Sequence, residues 1–193
     1  MSTPAASDFA IELVGVTKRF GKHVAVNDLT LQVPPGRTCG FIGPSGAGKT
    51  TTIKMLMGML RPTAGQTRVL GLDVAVDPLT VKQRVGYVPE LHFIYRSMRV
   101  RDVLGFCRAL FGTWNDRLCA DLVKLFGVDL TMKVKQLSKG TLAKLSLVVA
   151  LAHEPEVLIL DEPMSGLDPL AREEFLDGVL RSVCDRPRTI LFS

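Results

Sequence analysis

The sequence predicts an α/β fold in which β-rich ends enclose an inserted block of helices. Short strand patterns occupy residues 9–16 and 24–33, on either side of a polar turn that contains glycine. From about residue 97 to 155 the pattern is mostly helical, and apolar strand patterns return at 156–160 and 189–193. We therefore expect an α/β core with an N-terminal antiparallel β subdomain and an inserted α-helical subdomain.

The individual elements follow from the spacing of apolar residues and from the positions of glycine and proline. Residues 37–43 predict a buried strand, because an apolar run follows the Pro-Pro-Gly break at 34–36. From Ile53 to Leu60 the apolar residues recur at i, i+3, i+4 and i+7, which predicts a helix that ends within residues 61–65. Further helices are expected at 99–112, at 115–127 and from near Ser138.

Composition excludes several classes of protein. The 193 residues are 47% hydrophobic and 22% charged, which is typical of one globular domain with a sizeable core. The longest uncharged apolar run, residues 145–152, is too short for a membrane helix. The net charge of +5 is mild, and no run of Lys and Arg with interleaved aromatic residues is visible, so we expect no nucleic acid partner.

The strongest motif is GPSGAGKT at residues 43–50, which has the spacing of a phosphate-binding loop, G-x-x-x-x-G-K-[ST]. Its glycines allow a tight turn that brings backbone N–H groups against phosphate oxygens. The helix that follows adds the positive end of its dipole. We expect Lys49 to place its charge on the β- and γ-phosphates and the Thr50 hydroxyl to bind Mg²⁺.

Two acids follow the apolar run VLIL at residues 157–160. Successive strand residues point to opposite faces, so Asp161 and Glu162 are expected to have different tasks. One carboxylate can face a metal ion and the other an attacking water, which is the division that nucleotide hydrolysis needs. Together with the phosphate-binding loop, the pair favours a nucleotide-hydrolysing enzyme.

Residues 137–169 indicate which family of nucleotide-hydrolysing enzymes the chain resembles. LSKGT at 137–141 resembles the LSGGQ signature of the ATP-binding cassettes of ABC transporters, and SGLD at 165–168 resembles the D-loop of that family. Signature, acid-ended strand and D-loop occur in the order and spacing of the family, and the likeness spans nearly the whole chain.

The resemblance implies a P-loop NTPase fold of the RecA-like kind. The β subdomain and the P-loop core are expected over about residues 8–92 and 156–193, and the helical subdomain over about 93–155. In the family, two cassettes pack head to tail, with ATP held between the phosphate-binding loop of one and the signature of the other. The resemblance thus implies Mg-ATP, a second cassette that is identical or related, and a separate transmembrane permease subunit.

Particular residues inherit roles from this resemblance. It implies that Glu162 is the general base, that Asp161 is an acid on the metal side and that Asp168 contacts the second cassette. Phe20 occupies the place of the aromatic residue that stacks on adenine. The other implied nucleotide contacts are Gly43, Pro44, Ser45, Gly46, Ala47, Gly48, Lys49, Thr50, Thr51, Ser138 and Gly140, with Thr50, Glu90 and Asp161 as metal ligands.

Three positions near the implied site depart from the family pattern. Glu90 stands where the family usually has glutamine, and its carboxylate can still bind Mg²⁺ although it adds negative charge. In the signature, Lys139 replaces the first glycine and Thr141 replaces glutamine. Ser138 can cap the helix that starts there, while Gly140 leaves room for the backbone to approach a ligand.

The family pattern also places a histidine a few residues after a strand like TILFS at 189–193. Of the histidines in this chain, His23, His92 and His153, none follows that strand, and His153 is expected on the surface. We therefore expect this chain to bind Mg-ATP and to hydrolyse it slowly, as a cassette that ends before the switch histidine.

Three functions are compatible with these motifs. The first is the ATPase subunit of a transporter, held at the cytoplasmic face of the membrane by its permease; the resemblance favours an exporter. The second is a soluble cassette ATPase that acts on ribosomes, nucleic acid or protein assemblies; the chain has neither the second phosphate-binding loop nor the long coiled coil that such proteins use. The third, a nucleotide-binding fragment with little turnover, is compatible with the first.

Overall fold

The computed structural model describes residues 8–90, 94–185 and 187–193, which form two compact units. The first unit contains the chain up to Arg84 together with 188–193, and the second contains 85–187. The elements are, in chain order, β1 (Ile11–Phe20), β2 (His23–Val33), β3 (Thr38–Gly40), α1 (Lys49–Leu56), β4 (Ala64–Val69), β5 (Leu72–Asp73), α2 (Pro78–Arg84), β6 (Val85–Val88), α3 (Val100–Leu110), α4 (Asp116–Leu125), α5 (Lys139–Ala152), β7 (Val157–Leu160), α6 (Pro169–Asp185) and β8 (Thr189–Phe192).

This order confirms the α/β class, with strands at both ends and a helical block between them. The expected boundary near residues 92–93 and one of the three histidines, His92, lie outside the described residues. The subdomain limits therefore stay a prediction.

The first unit contains an antiparallel sheet in the order β2-β1-β4-β5. Ile11, Leu13 and Val16 of β1 are fully buried in its core. The register of β1 shifts between Leu13 and Val16 against β2, and a bulge forms where Gly15 has a φ of 57°. The bulge keeps Val16 on the buried side of the strand although two residues separate it from Leu13.

Strands β3 and β8 pair in parallel, with Thr38 opposite Ile190 and Gly40 opposite Phe192. The Thr189 hydroxyl accepts a hydrogen bond from the Gly36 N–H at 2.9 Å, which ties the turn before β3 to the start of β8. The strand expected over 37–43 is shorter than predicted, because the chain leaves the ladder after Gly40 to form the phosphate-binding loop. The pairing thus fixes where that loop begins.

The helix expected to run to Leu60 ends at Leu56, so that part of the prediction is wrong. Gly58 adopts a φ of 62°, its N–H donates to the Met55 carbonyl, and the Met59 N–H donates to the Lys54 carbonyl. These two bonds form a Schellman motif, in which a left-handed glycine satisfies the last carbonyls of a helix. The motif ends α1 before the apolar spacing does.

The second unit is built around α5, whose side chains are buried on most of its circumference, and α5 packs against β6 and α4. Strands β6 and β7 pair in parallel with Val88 opposite Leu160, and the four residues of β7 are all buried. A helix that is buried on nearly all sides has apolar residues all around its axis, which is why the sequence of α5 lacks an amphipathic pattern.

His153 follows α5 and is only 2% exposed, so its expected surface position is wrong. Its ring stacks on that of Phe111 with centroids 4.1 Å apart, and Nδ1 lies 3.3 Å from the Val149 carbonyl oxygen. The histidine joins the end of α5 to the end of α3 as a packing residue.

A cavity of about 490 Å³ lies between α3 and α4 in the second unit. Leu104, Trp114, Cys119 and Val123 contribute to its mostly apolar wall. Burial raises the pKa of the Cys119 thiol to about 11, with smaller contributions from the charges of Asp116 and Cys107, so the thiol stays protonated near neutral pH. None of the helices formed by the described residues is long and apolar enough to cross a bilayer.

Gly178→Ala should lower the free energy of unfolding by about 1–3 kcal/mol, because a methyl group on α6 would overlap a buried ring. A Cβ at residue 178 would lie 2.1 Å from Cζ of Phe126. Gly105→Ala is the matched control, since nothing lies within 4 Å of the corresponding Cβ on α3. That control should be neutral or stabilising by up to about 1 kcal/mol. Urea unfolding measures both, and equal midpoints would contradict the prediction.

Candidate functional site

The phosphate-binding loop, residues 43–50, connects β3 to α1 in the first unit. Gly46 and Gly48 have φ angles of 82° and 85°, a region that side chains rarely adopt. A Cβ at Gly48 would also lie 2.3 Å from the Ala25 carbonyl oxygen. Around Gly46 there is open space, and Ser45 and Ala47 are exposed. The loop is therefore a glycine-dependent turn whose backbone faces solvent, as an anion cradle requires.

Lys49, the first residue of α1, folds over this loop. Its ammonium group donates to the Gly43 carbonyl at 2.8 Å and to the Pro44 carbonyl at 3.2 Å. No acidic residue occupies the first turn of α1, so the positive end of the helix dipole is not offset there. Thr50 and Thr51 lie in the same turn and are half-buried. The expected phosphate-binding groups are thus brought together in one short segment.

Phe20 ends β1 and is 48% exposed. The Lys18 ammonium lies 5.1 Å from the centre of its ring, within the range of a cation–π contact. The opposite residue in the hairpin is His23. An exposed ring with a cation beside it leaves a face on which a planar ligand could stack.

In the second unit, Asp161 directly follows β7 and is 1% exposed. Its N–H donates to the Val88 carbonyl at 2.9 Å, which extends the β6–β7 ladder. One carboxylate oxygen lies 3.5 Å from the Tyr87 hydroxyl. Burial, followed by the negative charges of Asp161 and Glu90, raises the pKa of Tyr87 far above its usual range. The Tyr87 phenol therefore stays protonated beside the Asp161 carboxylate.

The sequence reasoning did not identify Tyr87 as a site residue. The two residues are close because β6 and β7 pair in parallel, which brings the hydroxyl of a residue near the end of β6 within reach of the acid at the end of β7. A pattern along one strand does not reveal this register.

Glu162 adopts a φ of 43°, which is uncommon for a residue with a side chain. Its carbonyl accepts from the Ser165 N–H, so a tight turn begins immediately after the strand. A left-handed residue costs on the order of 1–3 kcal/mol and persists where the surroundings impose it. Asp161 thus continues the β6–β7 ladder, whereas Glu162 lies in a turn, and the separate tasks expected of the two acids stay a prediction.

The signature segment forms the N-terminus of α5. The Ser138 hydroxyl accepts from the Thr141 N–H at 3.1 Å and lies 2.9 Å from the Thr141 hydroxyl, so serine caps the helix as expected. Thr141, one of the departures from LSGGQ, completes this cap. Gly140 is buried, and a Cβ there would lie 2.8 Å from Cβ of Ala171. Within the chain, Gly140 allows α5 and α6 to approach closely.

Lys139, the second departure, extends over the D-loop. A Cβ on Gly166, whose φ is 67°, would lie 2.5 Å from the Lys139 ammonium nitrogen. Asp168 begins α6 by accepting from the Ala171 N–H at 2.9 Å, with proline following it at the first helical position. The signature and the D-loop are thus neighbours within one chain, and Asp168 has a capping role there.

The predicted metal ligands are oxygen donors. No group of three or more His, Cys, Asp or Glu residues able to hold a metal ion occurs within 8–90, 94–185 and 187–193. Mg²⁺ is usually held by one or two carboxylates together with substrate phosphates and water. The carboxylates of Asp161 and Glu90, both in the second unit, are oxygen donors of the type that Mg²⁺ prefers.

A family model described as ABC transporter matches residues 26–165, which include the phosphate-binding loop, the signature and the acid pair. The chain belongs to the ABC transporter family. This cassette is 36% identical to a probable multidrug ABC transporter ATP-binding protein, YbhF, of Escherichia coli, over 86% of the chain and 29% of the relative. It is 38% identical to the Nod factor export ATP-binding protein I of Burkholderia orbicola, over 95% of the chain and 62% of the relative.

The fold of the cassette agrees with solved structures. The structure of an ATP-binding subunit of an ABC transporter superposes with a TM-score of 0.84 at 27% identity, over 95% of this chain and 79% of that one. The expected α/β fold of a P-loop NTPase is thereby confirmed. The chain spans between 29% and 62% of the length of the two curated relatives described above.

Proposed function

We propose that this chain is the ATP-binding and ATP-hydrolysing subunit of an ABC transporter. The observation that carries the proposal is the glycine-dependent loop with Lys49 folded over its carbonyls, at the N-terminus of a helix without acidic residues in its first turn. Such a loop binds phosphate groups through backbone N–H groups, a helix dipole and one cation. The acid pair, the signature and the D-loop supply the remaining parts of a cassette.

Each part has a proposed role. Lys49 binds the β- and γ-phosphates, Phe20 stacks on the adenine ring, and Ser138 and the N-terminus of α5 contact the γ-phosphate of ATP bound to a second copy. The other proposed nucleotide contacts are Gly43, Pro44, Ser45, Gly46, Ala47, Gly48, Thr50, Thr51, Gly140 and Asp168.

Hydrolysis is assigned to the acid pair. Glu162 accepts a proton from the attacking water, and its unusual backbone conformation supports a functional reason for keeping a carboxylate there. Thr50, Glu90 and Asp161 would hold Mg²⁺, which when bound offsets the charge of the phosphates. The expectation that this chain alone turns over slowly stays a prediction.

The proposed partners are a second cassette and a transmembrane permease, which would hold the protein at the cytoplasmic face of the membrane. The names of two relatives, which refer to multidrug transport and Nod factor export, support export. They also favour a transporter over the alternative of a soluble cassette ATPase that acts on ribosomes, nucleic acid or protein assemblies.

Mixing two inactive variants tests whether ATP binding drives head-to-tail dimerisation. In a Glu162→Gln background that slows hydrolysis, Mg-ATP should convert monomers to dimers in sedimentation velocity. In a homodimer of Lys49→Ala, both phosphate-binding loops lack the lysine. In a homodimer of Ser138→Glu, a carboxylate lies against each γ-phosphate. Each variant alone should therefore remain monomeric. An equimolar mixture should form dimers, because one site then combines an intact loop with an intact signature. A mixture that remains monomeric would refute this arrangement.

A further inference from the structure

Two charged residues of the second unit, Glu90 and Lys139, stand where the family pattern has uncharged residues. Glu90 replaces a glutamine and adds a negative charge, whereas Lys139 replaces a glycine and adds a positive charge. The two departures therefore cancel in the net charge of the chain. The proposed function gives Glu90 a place beside Mg²⁺ and leaves Lys139 without a role.

Glu90 lies at an edge of the sheet that already carries negative charge. The Val88 carbonyl, at the end of β6, accepts from the Asp161 N–H at 2.9 Å, and Glu90 follows Val88 by two residues. Because the carboxyl ends of parallel strands meet at the same edge, Glu90 joins the acid pair Asp161 and Glu162 there. Like charges placed together disfavour one another. The second unit by itself thus gives the Glu90 carboxylate an unfavourable setting.

Lys139 is the first residue of α5, and its side chain is exposed. The first turn of α5 contains no acidic residue, so the lysine adds its charge to the positive end of the helix dipole. A cation at this end of a helix is destabilising. The ammonium group lies beside Gly166 of the D-loop, which offers no side chain to pair with. The stability of α5 therefore does not account for a lysine at this position.

Neither charge is offset within the chain. In the part of the chain that the structure describes, Glu90 and Lys139 form no ion pair, either with each other or with another residue. Two acids of the D-loop and α6 have other partners, since Asp168 caps α6 and Glu174 pairs with Lys144. A second copy of the chain carries the same two charges. It can therefore bring a cation to the unpaired anion and an anion to the unpaired cation.

We propose that, in the ATP-bound dimer, Lys139 of each copy compensates the charge of Glu90 in the other copy. The inference rests on the proposed head-to-tail arrangement, which sets the N-terminus of α5 in one copy against the nucleotide of the other. Two-fold symmetry then makes two equivalent pairs. A carboxylate has two oxygens, so Glu90 can hold Mg²⁺ with one and meet the ammonium group with the other. Lys139 is thus a positioning residue that joins the two copies and takes no part in the chemical step.

Mixing a Glu90→Gln chain with a Lys139→Gln chain tests the inference, with Glu162→Gln in both chains so that dimers accumulate on Mg-ATP. A homodimer of either variant contains no complete pair. A heterodimer contains one complete pair and one site from which both charges are removed. Contacts that either residue makes with the nucleotide alone contribute to the heterodimer the mean of their contributions to the two homodimers. An excess of heterodimer therefore reports only the pairing of Glu90 with Lys139.

Native mass spectrometry of an equimolar mixture, in which one variant carries a mass tag, gives the share of heterodimers. If each pair strengthens association by about tenfold, heterodimers should form about nine-tenths of all dimers, compared with about one half by chance. The share should fall toward the chance value at high salt, which screens the charges. The matched control mixes Glu173→Gln with Lys54→Gln, two exposed charges of opposite sign, and should give the chance value.

A chance share of heterodimers in the mixture of Glu90→Gln with Lys139→Gln would overturn the inference. This holds even if Lys139→Gln alone dimerised poorly, because the lysine would then act on the nucleotide and not on Glu90. Equal unfolding midpoints of the two variants exclude a loss of structure. If the Glu162→Gln chain dimerised on Mg-ATP and the mixture stayed at the chance value, this inference alone would fail. If that chain formed no dimers, the proposed head-to-tail dimer would fail with it.

Discussion

Glu162→Gln should reduce the steady-state rate of ATP hydrolysis by about 10²–10⁴-fold, the range expected when a general base is removed. The amide cannot accept the proton of the attacking water, yet it has nearly the size and shape of the carboxylate. Because the backbone at residue 162 is unchanged, folding stability and ATP affinity should be retained. Release of phosphate measures turnover, and equilibrium binding of a fluorescent ATP analogue measures affinity.

The matched control for this variant is Glu173→Gln, an exposed carboxylate on α6. It makes the same chemical change outside the acid pair and should leave turnover unchanged. If Glu162→Gln hydrolysed ATP at the rate of the control, the assignment of the base would be wrong, although the ATP-binding assignment would stand.

Lys49→Ala should weaken ATP binding by about 100-fold, the loss that corresponds to a charged hydrogen bond of the stronger kind. The variant removes the cation proposed to contact the phosphates, and it also removes the two hydrogen bonds that tie the ammonium group to the Gly43 and Pro44 carbonyls. Both effects act on the same loop. Isothermal titration with Mg-ATP gives the affinity.

Lys54→Ala provides the comparison, since Lys54 is an exposed lysine on the same helix. Its ATP affinity should match that of the unmodified protein, and the unfolding midpoints of both variants should be compared to exclude a loss of structure. An affinity of Lys49→Ala within a factor of about three of the control would contradict phosphate binding by Lys49, because that factor is far below the loss expected for a charged hydrogen bond.

The sequence predicted those features that depend on local patterns. The glycine turn between a strand and a helix at residues 43–50 and the serine cap of α5 were predicted correctly, because glycine conformation and helix capping are decided within a few residues. The end of α1 was misplaced because the apolar spacing continues to Leu60, whereas Gly58 allows a left-handed turn that stops the helix earlier. A single glycine within a periodic segment can therefore end a helix that the apolar spacing alone would continue.

Features that depend on contacts between distant segments could not be read from the sequence. His153 is buried because Phe111, about forty residues earlier in the chain, supplies a ring to stack on. The closeness of Tyr87 to Asp161 follows from the register of β6 and β7. The antiparallel bridge between Arg99 and Lys133 likewise joins segments about thirty residues apart, so no local pattern along the sequence predicts it.

The cavity between α3 and α4 has a spectroscopic consequence. Trp114, the only tryptophan of the protein, contributes to its wall, and both tyrosines, Tyr87 and Tyr95, also lie in the second unit. Intrinsic tryptophan and tyrosine fluorescence therefore originates in the second unit. The first unit, which contains the phosphate-binding loop, has neither residue type and adds nothing to this emission. A single fluorescence transition in urea would describe one unit only. Far-ultraviolet circular dichroism, which registers both units, would have to coincide with it before the chain could be treated as one cooperative system.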